Sequence, residues 1–312
     1  MKDFKNCKLC EWRCGVNRLK GETGTCYVGL PEVAYTSLAY ILKSYSITFL
    51  GCPFKCLYCN AYRISQYPDT GWIYRGYIEP EKMAKEALDH LKSPLAKKIG
   101  AYRLSFTGGE PTIHTPYLEE LVKTIKRFNP SIEVGVATNG FPTMKTLKRI
   151  LRIVDFINFE IKAFNDEIHR NLTGAPSEPV LRNAAYLAEK SPEKVRTFRT
   201  VVIPRITDRE VPRIAEFLSE INKEIPYRLV GFRPNFVLYY HSGPPKGLME
   251  DLVKKCEKKG LKNVDYSGYY PLKAKDPDYY LKKLGCPLPR NCGECKFKKE
   301  CKSILMEPWL FR

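Results

Sequence analysis

Three cysteines, Cys52, Cys56 and Cys59, stand in C-x3-C-x2-C spacing within Gly51-Cys52-Pro53-Phe54-Lys55-Cys56-Leu57-Tyr58-Cys59-Asn60. Thiolates this close together can hold three irons of a [4Fe–4S] cluster, whereas a cubane ordinarily takes four cysteines. The fourth iron would then be free of protein, a place where a small molecule can bind and receive an electron. The stretch Tyr45–Leu50 just before the triplet reads as a buried strand, so the cysteines sit on the loop that leaves it.

Eight of the other nine cysteines fall into two further sets. Cys7, Cys10, Cys14 and Cys26 are spaced C-x2-C-x3-C-x11-C near the N-terminus, with Gly15, Gly21 and Gly24 supplying turns between them. Few apolar residues accompany them, so this segment is expected to need a metal in order to fold. Cys286, Cys292, Cys295 and Cys301 are spaced C-x5-C-x2-C-x5-C near the C-terminus. Four thiolates suit either tetrahedral zinc or a closed [4Fe–4S] cluster, and spacing does not choose. The same steps argue for metal over disulfides. Cys256 shares an apolar helical face with Leu248, Leu252 and Val253 and reads as core.

From about residue 40 the chain alternates strand and helix. Strands are expected at Tyr45–Leu50, Ala101–Phe106, Ile132–Ala137, Val154–Ile161, Val195–Ile203 and Tyr227–Phe232. Helices are expected near 80–92, after Thr115 as a cap, and near 143–152, 179–190, 210–223 and 248–259. Strands joined by helices demand a parallel sheet. Six such units cannot close an eight-stranded barrel, so the fold class is α/β: an open, partial (β/α)6 barrel with small cysteine-rich extensions at both ends. The expected units are a metal-binding segment over residues 1–39, a core over 40–247, and a helix with an auxiliary-cluster segment over 248–312.

In such folds ligands gather at the C-terminal ends of the strands. The cysteine loop, Thr107-Gly108-Gly109-Glu110-Pro111, Thr138-Asn139-Gly140, Glu160-Ile161-Lys162 and the run from Arg199 to Pro204 all fall there. Gly108 and Gly109 would let the backbone approach a ligand. Glu110 offers a carboxylate to a ligand's ammonium, and Lys162 a cation to its carboxylate. His90, His114, His169 and His241 are expected to be structural, with His241 the one to test for activity.

The chain has 312 residues, 44% hydrophobic and 28% charged, the composition of a globular protein. No apolar run approaches the roughly 18–20 residues that span a bilayer, and Met1-Lys2-Asp3-Phe4-Lys5 lacks a secretory pattern, so a cytoplasmic location without membrane attachment is expected. Fifty-two Lys and Arg against 34 Asp and Glu give a net charge of +18, which suggests an anionic partner such as RNA or a solvated basic surface.

Over about residues 40–240 the sequence resembles the radical S-adenosylmethionine (SAM) enzymes. Within them it is most similar to the glycyl-radical-enzyme activases, the group of pyruvate formate-lyase activating enzyme. The resemblance implies that Cys52, Cys56 and Cys59 ligate the cluster, that Tyr58 lies against the adenine of SAM, and that Gly108, Gly109 and Glu110 take its amino group. Asn139 and Lys162 sit where the family places further SAM contacts. The run from His169 to Gly174 also matches the activases, as does Cys14-Gly15-Val16-Asn17-Arg18 in their archaeal and bacterial homologues. Cys292, Cys295 and Cys301 resemble auxiliary-cluster cysteines of SPASM and twitch extensions. Ala137 stands where an acidic residue often precedes Thr-Asn-Gly, and Arg233-Pro234-Asn235 where a histidine is expected. The resemblance implies SAM cleavage to a 5′-deoxyadenosyl radical, hydrogen abstraction from a protein or peptide, and a one-electron donor such as ferredoxin or flavodoxin. The alternatives are radical modification of a peptide, protein or RNA, and a zinc-stabilised binding protein.

Overall fold

The computed structural model describes residues 2–66 and 74–270. Its strands are β1 (Glu32–Ala39), β2 (Ser44–Phe49), β3 (Gly76–Tyr77), β4 (Arg103–Gly108), β5 (Glu133–Thr138), β6 (Phe156–Glu160), β7 (Val195–Val202), β8 (Tyr227–Gly231) and β9 (Val264–Ser267). They form one sheet in the order β3-β1-β2-β4-β5-β6-β7-β8-β9. From β2 through β4 to β9 the pairing is parallel; β1 pairs antiparallel with both β2 and β3. The two edges, β3 and β9, do not meet, so the sheet is an open arc, as the alternation of strands and helices requires.

The six expected parallel strands are β2 and β4 to β8. Two additions lay beyond the sequence reading. β1 falls inside the segment read as purely metal-binding, and its partial burial blurs the alternation that marks a strand. β9, four half-exposed residues after the helix Lys246–Lys258, extends the parallel run by one. β2 is buried along its whole length, Ser44, Ser46 and Thr48 included, because it lies between β1 and β4 in the sheet.

The helices pack their apolar stripes on the sheet. Pro80–Lys92 opens with proline in its first turn, where a missing N–H costs nothing, and buries Met83, Ala84, Ala87 and Leu88. Thr115–Phe128 buries Leu118, Leu121, Val122 and Ile125. Its cap differs from expectation. A 3-10 turn at Pro111–His114 leads straight into it, His114 takes the capping position, and Thr115 lies inside the helix. Met144–Ile153 is capped by Thr143, whose side chain accepts from the Thr146 N–H at 3.3 Å. Glu178–Lys190 and Val211–Ile221 follow β6 and β7. Asp166–Thr173, capped by Asn165 and closed by Gly174 at φ +77°, turns the His169–Gly174 run into a short helix with a left-handed stop. Cys256 is fully buried beside Met249 and Leu252, as read. No helix among the described residues is long and apolar enough to cross a membrane.

The N-terminal segment lies on the core rather than apart from it. Glu11 N–H donates to Phe141 O at 3.2 Å and Thr143 N–H to Leu9 O at 3.0 Å. Trp12 Nε1 donates to Pro53 O at 2.9 Å, inside the cysteine loop.

Candidate SAM and cluster site

One cavity of about 480 Å³ opens at the C-terminal ends of the strands, within the size range of small-molecule sites. Cys52, Cys56, Cys59, Tyr58, Gly108, Gly109, Glu110, Asn139 and Lys162 all line it. Cys286, Cys292, Cys295 and Cys301 lie outside the described residues.

The cysteine loop is held from three sides. Lys55 N–H donates to Thr173 O at 2.7 Å and Leu57 N–H to Leu172 O at 3.0 Å, so the end of the helix Asp166–Thr173 forms its floor. Phe54 meets the His169 ring edge-on at 5.4 Å between centroids. His169 Nδ1 donates to Ala175 O at 2.7 Å. The third support is close backbone packing. A Cβ on Gly109 would fall 2.0 Å from Gly51 O, and one on Gly108 2.2 Å from Phe49 O. Only glycine fits at either position.

Cys52 and Cys56 are buried and Cys59 is partly so. Burial pushes the Cys56 thiol up to about 12, with Cys52 well above and Cys59 also above the ordinary thiol value. An empty set of such thiols stays protonated, and metal binding must displace those protons. Donors already point at the sulfurs: Phe54 N–H to Cys52 at 3.4 Å, Asn139 Nδ2 to Cys52 at 3.5 Å, with the Ser65 hydroxyl 3.0 Å from Cys59 Sγ. Among the described residues no three His, Cys, Asp or Glu side chains are set closely enough to grip a single metal ion.

Glu110 is buried and its two oxygens are unequally used. Oε1 accepts from Thr112 N–H at 3.1 Å, Thr112 Oγ1 at 2.6 Å and Thr138 Oγ1 at 2.8 Å. Oε2 accepts only the Asn139 N–H, at 2.7 Å, which leaves it one acceptor site. The carboxylate thus joins the loops after β4 and β5 while keeping a place for an ammonium. Burial raises its pKa, against the pull of these donors.

Lys162 Nζ lies 2.5 Å from Glu160 Oε1 and 5.4 Å from the centre of the Tyr58 ring. Burial alone would lower its pKa, but Glu160, Tyr58 and Cys56 hold it well above the usual lysine value, so it is a fixed cation in the cavity wall.

Sequence reading passed over Asn158 and gave Arg199 no role. Asn158 and Glu160 are two apart on β6, and Arg199 and Val201 two apart on β7; all four line the cavity. Polar residues at alternate positions of an otherwise apolar buried strand were the available signal. Arg199 Nη2 donates to Asn158 Oδ1 at 2.8 Å. Its Nε, Tyr58 Oη and Asn235 Oδ1 are buried without a partner, and all three residues line this cavity. Orphaned polar atoms around one space are what a polar ligand would satisfy. His241, by contrast, is tied to Pro204 O through Nε2 at 2.7 Å.

The family model for the radical SAM superfamily matches residues 46–218. A Methanocaldococcus jannaschii protein provisionally named glycyl-radical enzyme activating enzyme MJ1632 is 30% identical over 72% of this chain and 80% of its own length. Indoleacetate decarboxylase activating enzyme of Tractidigestivibacter scatoligenes is 25% identical over 73% of this chain and 77% of its own. Pyruvate formate-lyase 1-activating enzyme of Escherichia coli K12 is 28% identical over 59% of this chain and 73% of its own. Streptococcus suis SuiB bound to precursor peptide SuiA shares the fold, with TM-score 0.53 and 14% identity over 70% of this chain and 46% of that one. A [4Fe–4S] cluster and SAM are the cofactors this family implies, and the cavity's three thiols and three orphaned polar atoms fit them. With the cysteines on the loop that leaves β2 and the sheet left open, this chain belongs to the radical SAM superfamily.

Proposed function

We propose that this protein cleaves SAM reductively and uses the resulting radical on a macromolecule, as the activase of a glycyl radical enzyme. The carrying observation is the single cavity shared by Cys52, Cys56, Cys59, Glu110 and Lys162. The cluster with SAM would supply a 5′-deoxyadenosyl radical that takes hydrogen from the substrate; the protein's share is placement and exclusion of water. Cys52, Cys56 and Cys59 would hold the cluster. Glu110 Oε2 and Lys162 Nζ present opposite charges for the two ends of an amino acid. Tyr58 offers an aromatic face and an unpartnered hydroxyl for a nucleoside. The named relatives support an activase, and the unclosed sheet leaves the barrel open on one side.

Anaerobic loading with iron and sulfide, then SAM and dithionite, should release 5′-deoxyadenosine and methionine. Cys52→Ala, Cys56→Ala or Cys59→Ala should abolish both products; unaltered yield from any one of them rejects the assignment. An electron-spin signal on an added glycyl radical enzyme would identify the activase role. A second reading keeps the chemistry and changes the acceptor to a peptide, protein or RNA. The net charge of +18 favours it. RNA binding that does not weaken steeply with salt would remove the RNA branch.

A further inference from the structure

The N-terminal cysteines have no part in that cavity. Cys7, Cys10, Cys14 and Cys26, 19 residues apart from first to last, wall a second, small one together with Arg18 and Ile113. Cys7, Cys10 and Cys26 are buried and Cys14 is exposed. Arg18 is the odd member. Its side chain is wholly buried, yet it donates only to the carbonyls of Gly29 and Ile113, both at 2.6 Å, to His114 Nδ1 at 3.1 Å and toward Cys7 Sγ at 3.9 Å. Among the described residues no carboxylate lies within ion-pair distance of it. Glu32, partly buried, feels the Arg18 charge from beyond that distance, and the Phe4 ring centre lies 4.4 Å from the guanidinium. A buried cation with no anion in direct contact is unfavourable, and protonated thiols do not relieve it. Four metal-bound thiolates do, because they leave the centre with net negative charge.

The place of this cavity matters as much as its lining. The carbonyl of Cys26 lies 2.7 Å from where a Cβ on Gly51 would stand, next to Cys52. Arg18 holds Ile113 and His114, the latter joined to Leu50 O at 3.0 Å. The four cysteines therefore sit behind both the cysteine loop and the glycine-rich loop.

We propose that Cys7, Cys10, Cys14 and Cys26 together ligate a second metal centre, one thiophilic divalent ion or one iron–sulfur cube, with Arg18 as its buried charge partner. The space between the thiols, about 10 Å³, is the room of about one water molecule. As placed, these four thiols too are not set closely enough to grip a single ion, so loading draws them inward round an ion or spreads them round a cube. This inference does not depend on the proposed function, since it concerns different cysteines.

The test is a full-length chain with Cys52, Cys56, Cys59, Cys286, Cys292, Cys295 and Cys301 all changed to Ser, purified without air and assayed for zinc, iron and acid-labile sulfide. One centre per chain is expected, zinc without sulfide marking the ion and iron with sulfide the cube. Adding Cys10→Ser and Cys26→Ser should empty it. A folded seven-serine chain without stoichiometric metal overturns the proposal, as does metal that survives Cys10→Ser with Cys26→Ser. Should the seven-serine chain not fold, the same two changes in the otherwise unaltered protein must lower total metal by one centre; an unchanged total overturns the proposal equally. Arg18→Met is expected to speed loss of that metal to a chelator by about tenfold, the scale for partners that support a ligand shell. An unchanged rate removes Arg18 from the centre.

Discussion

Asn139 and Cys52, on loops 87 residues apart in sequence, meet through an Nδ2–H to Sγ contact of 3.5 Å. The same asparagine is pinned on its other side, where Oδ1 accepts from Phe141 N–H at 3.0 Å, so its amide is not free to turn away. Hydrogen bonds to ligand sulfurs are one of the protein's levers on cluster potential. Asn139→Ala should make the loaded cluster harder to reduce, lowering its midpoint by tens of millivolts in a spin-resonance redox titration. An unchanged midpoint would confine Asn139 to holding its loop.

Gly109 admits no side chain. Gly109→Ala would drive a methyl into Gly51 O, 2.0 Å away, and force apart two loops that pack side by side, joined by Glu110 N–H to Gly51 O at 2.8 Å. Overpacking of this kind costs about 1–3 kcal/mol. Urea unfolding should register that loss, and iron uptake at the Cys52 site should fall with it. Wild-type stability and uptake would mean that the loops can separate without harm.

Lys162 is a buried cation in the cavity wall, and the proposed function gives it the ligand carboxylate. A hydrogen bond to a charged group is worth about 1.5–3 kcal/mol, and about 1.4 kcal/mol is tenfold in affinity. Lys162→Ala should therefore weaken SAM binding to the cluster-loaded protein by about 10- to 100-fold in anaerobic calorimetry. Equal affinity would assign Lys162 to Glu160 alone.

His114 predicts an acid-labile fold. Its Nδ1 accepts from the Arg18 guanidinium and its Nε2–H donates to Leu50 O, the neutral ring that this pair of neighbours dictates. Burial and then the Arg18 charge depress its pKa from 6.5 to about 3. The unfolded chain therefore binds the extra proton first. The contribution of His114 is complete above about pH 6.5 and is lost as pH falls from there toward 3. The slope is up to about 1.4 kcal/mol per pH unit for one proton. His114→Gln should flatten urea-derived stability over that range; an identical slope would place the proton elsewhere.

How much of this was legible varied with the physical origin of each feature. The cysteine loop could be placed because Tyr45–Leu50, rich in aromatic and β-branched residues, ends abruptly in Gly51 and three thiols, and the parallel strands because each precedes an amphipathic helix. β1 could not, since a half-buried strand beside a cysteine-rich stretch lacks a clean period. The meaning of His169–Gly174 was likewise hidden. Its residues matter through the carbonyls of Leu172 and Thr173, and a backbone acceptor leaves no mark on residue type. Arg18 is the sharpest case: an arginine reads as surface, and only the fold shows it wholly enclosed.

The support beneath the cysteine loop also sets an order of events during synthesis. Cys52, Cys56 and Cys59 leave the ribosome early, but the acceptors for Lys55 and Leu57 are supplied by Leu172 and Thr173. A nascent chain ending before residue 173 carries three thiols and no bed on which to fix them. Iron delivered then would find a flexible chelator instead of a shaped receptacle, so maturation of the centre belongs to the later part of translation or to the released polypeptide.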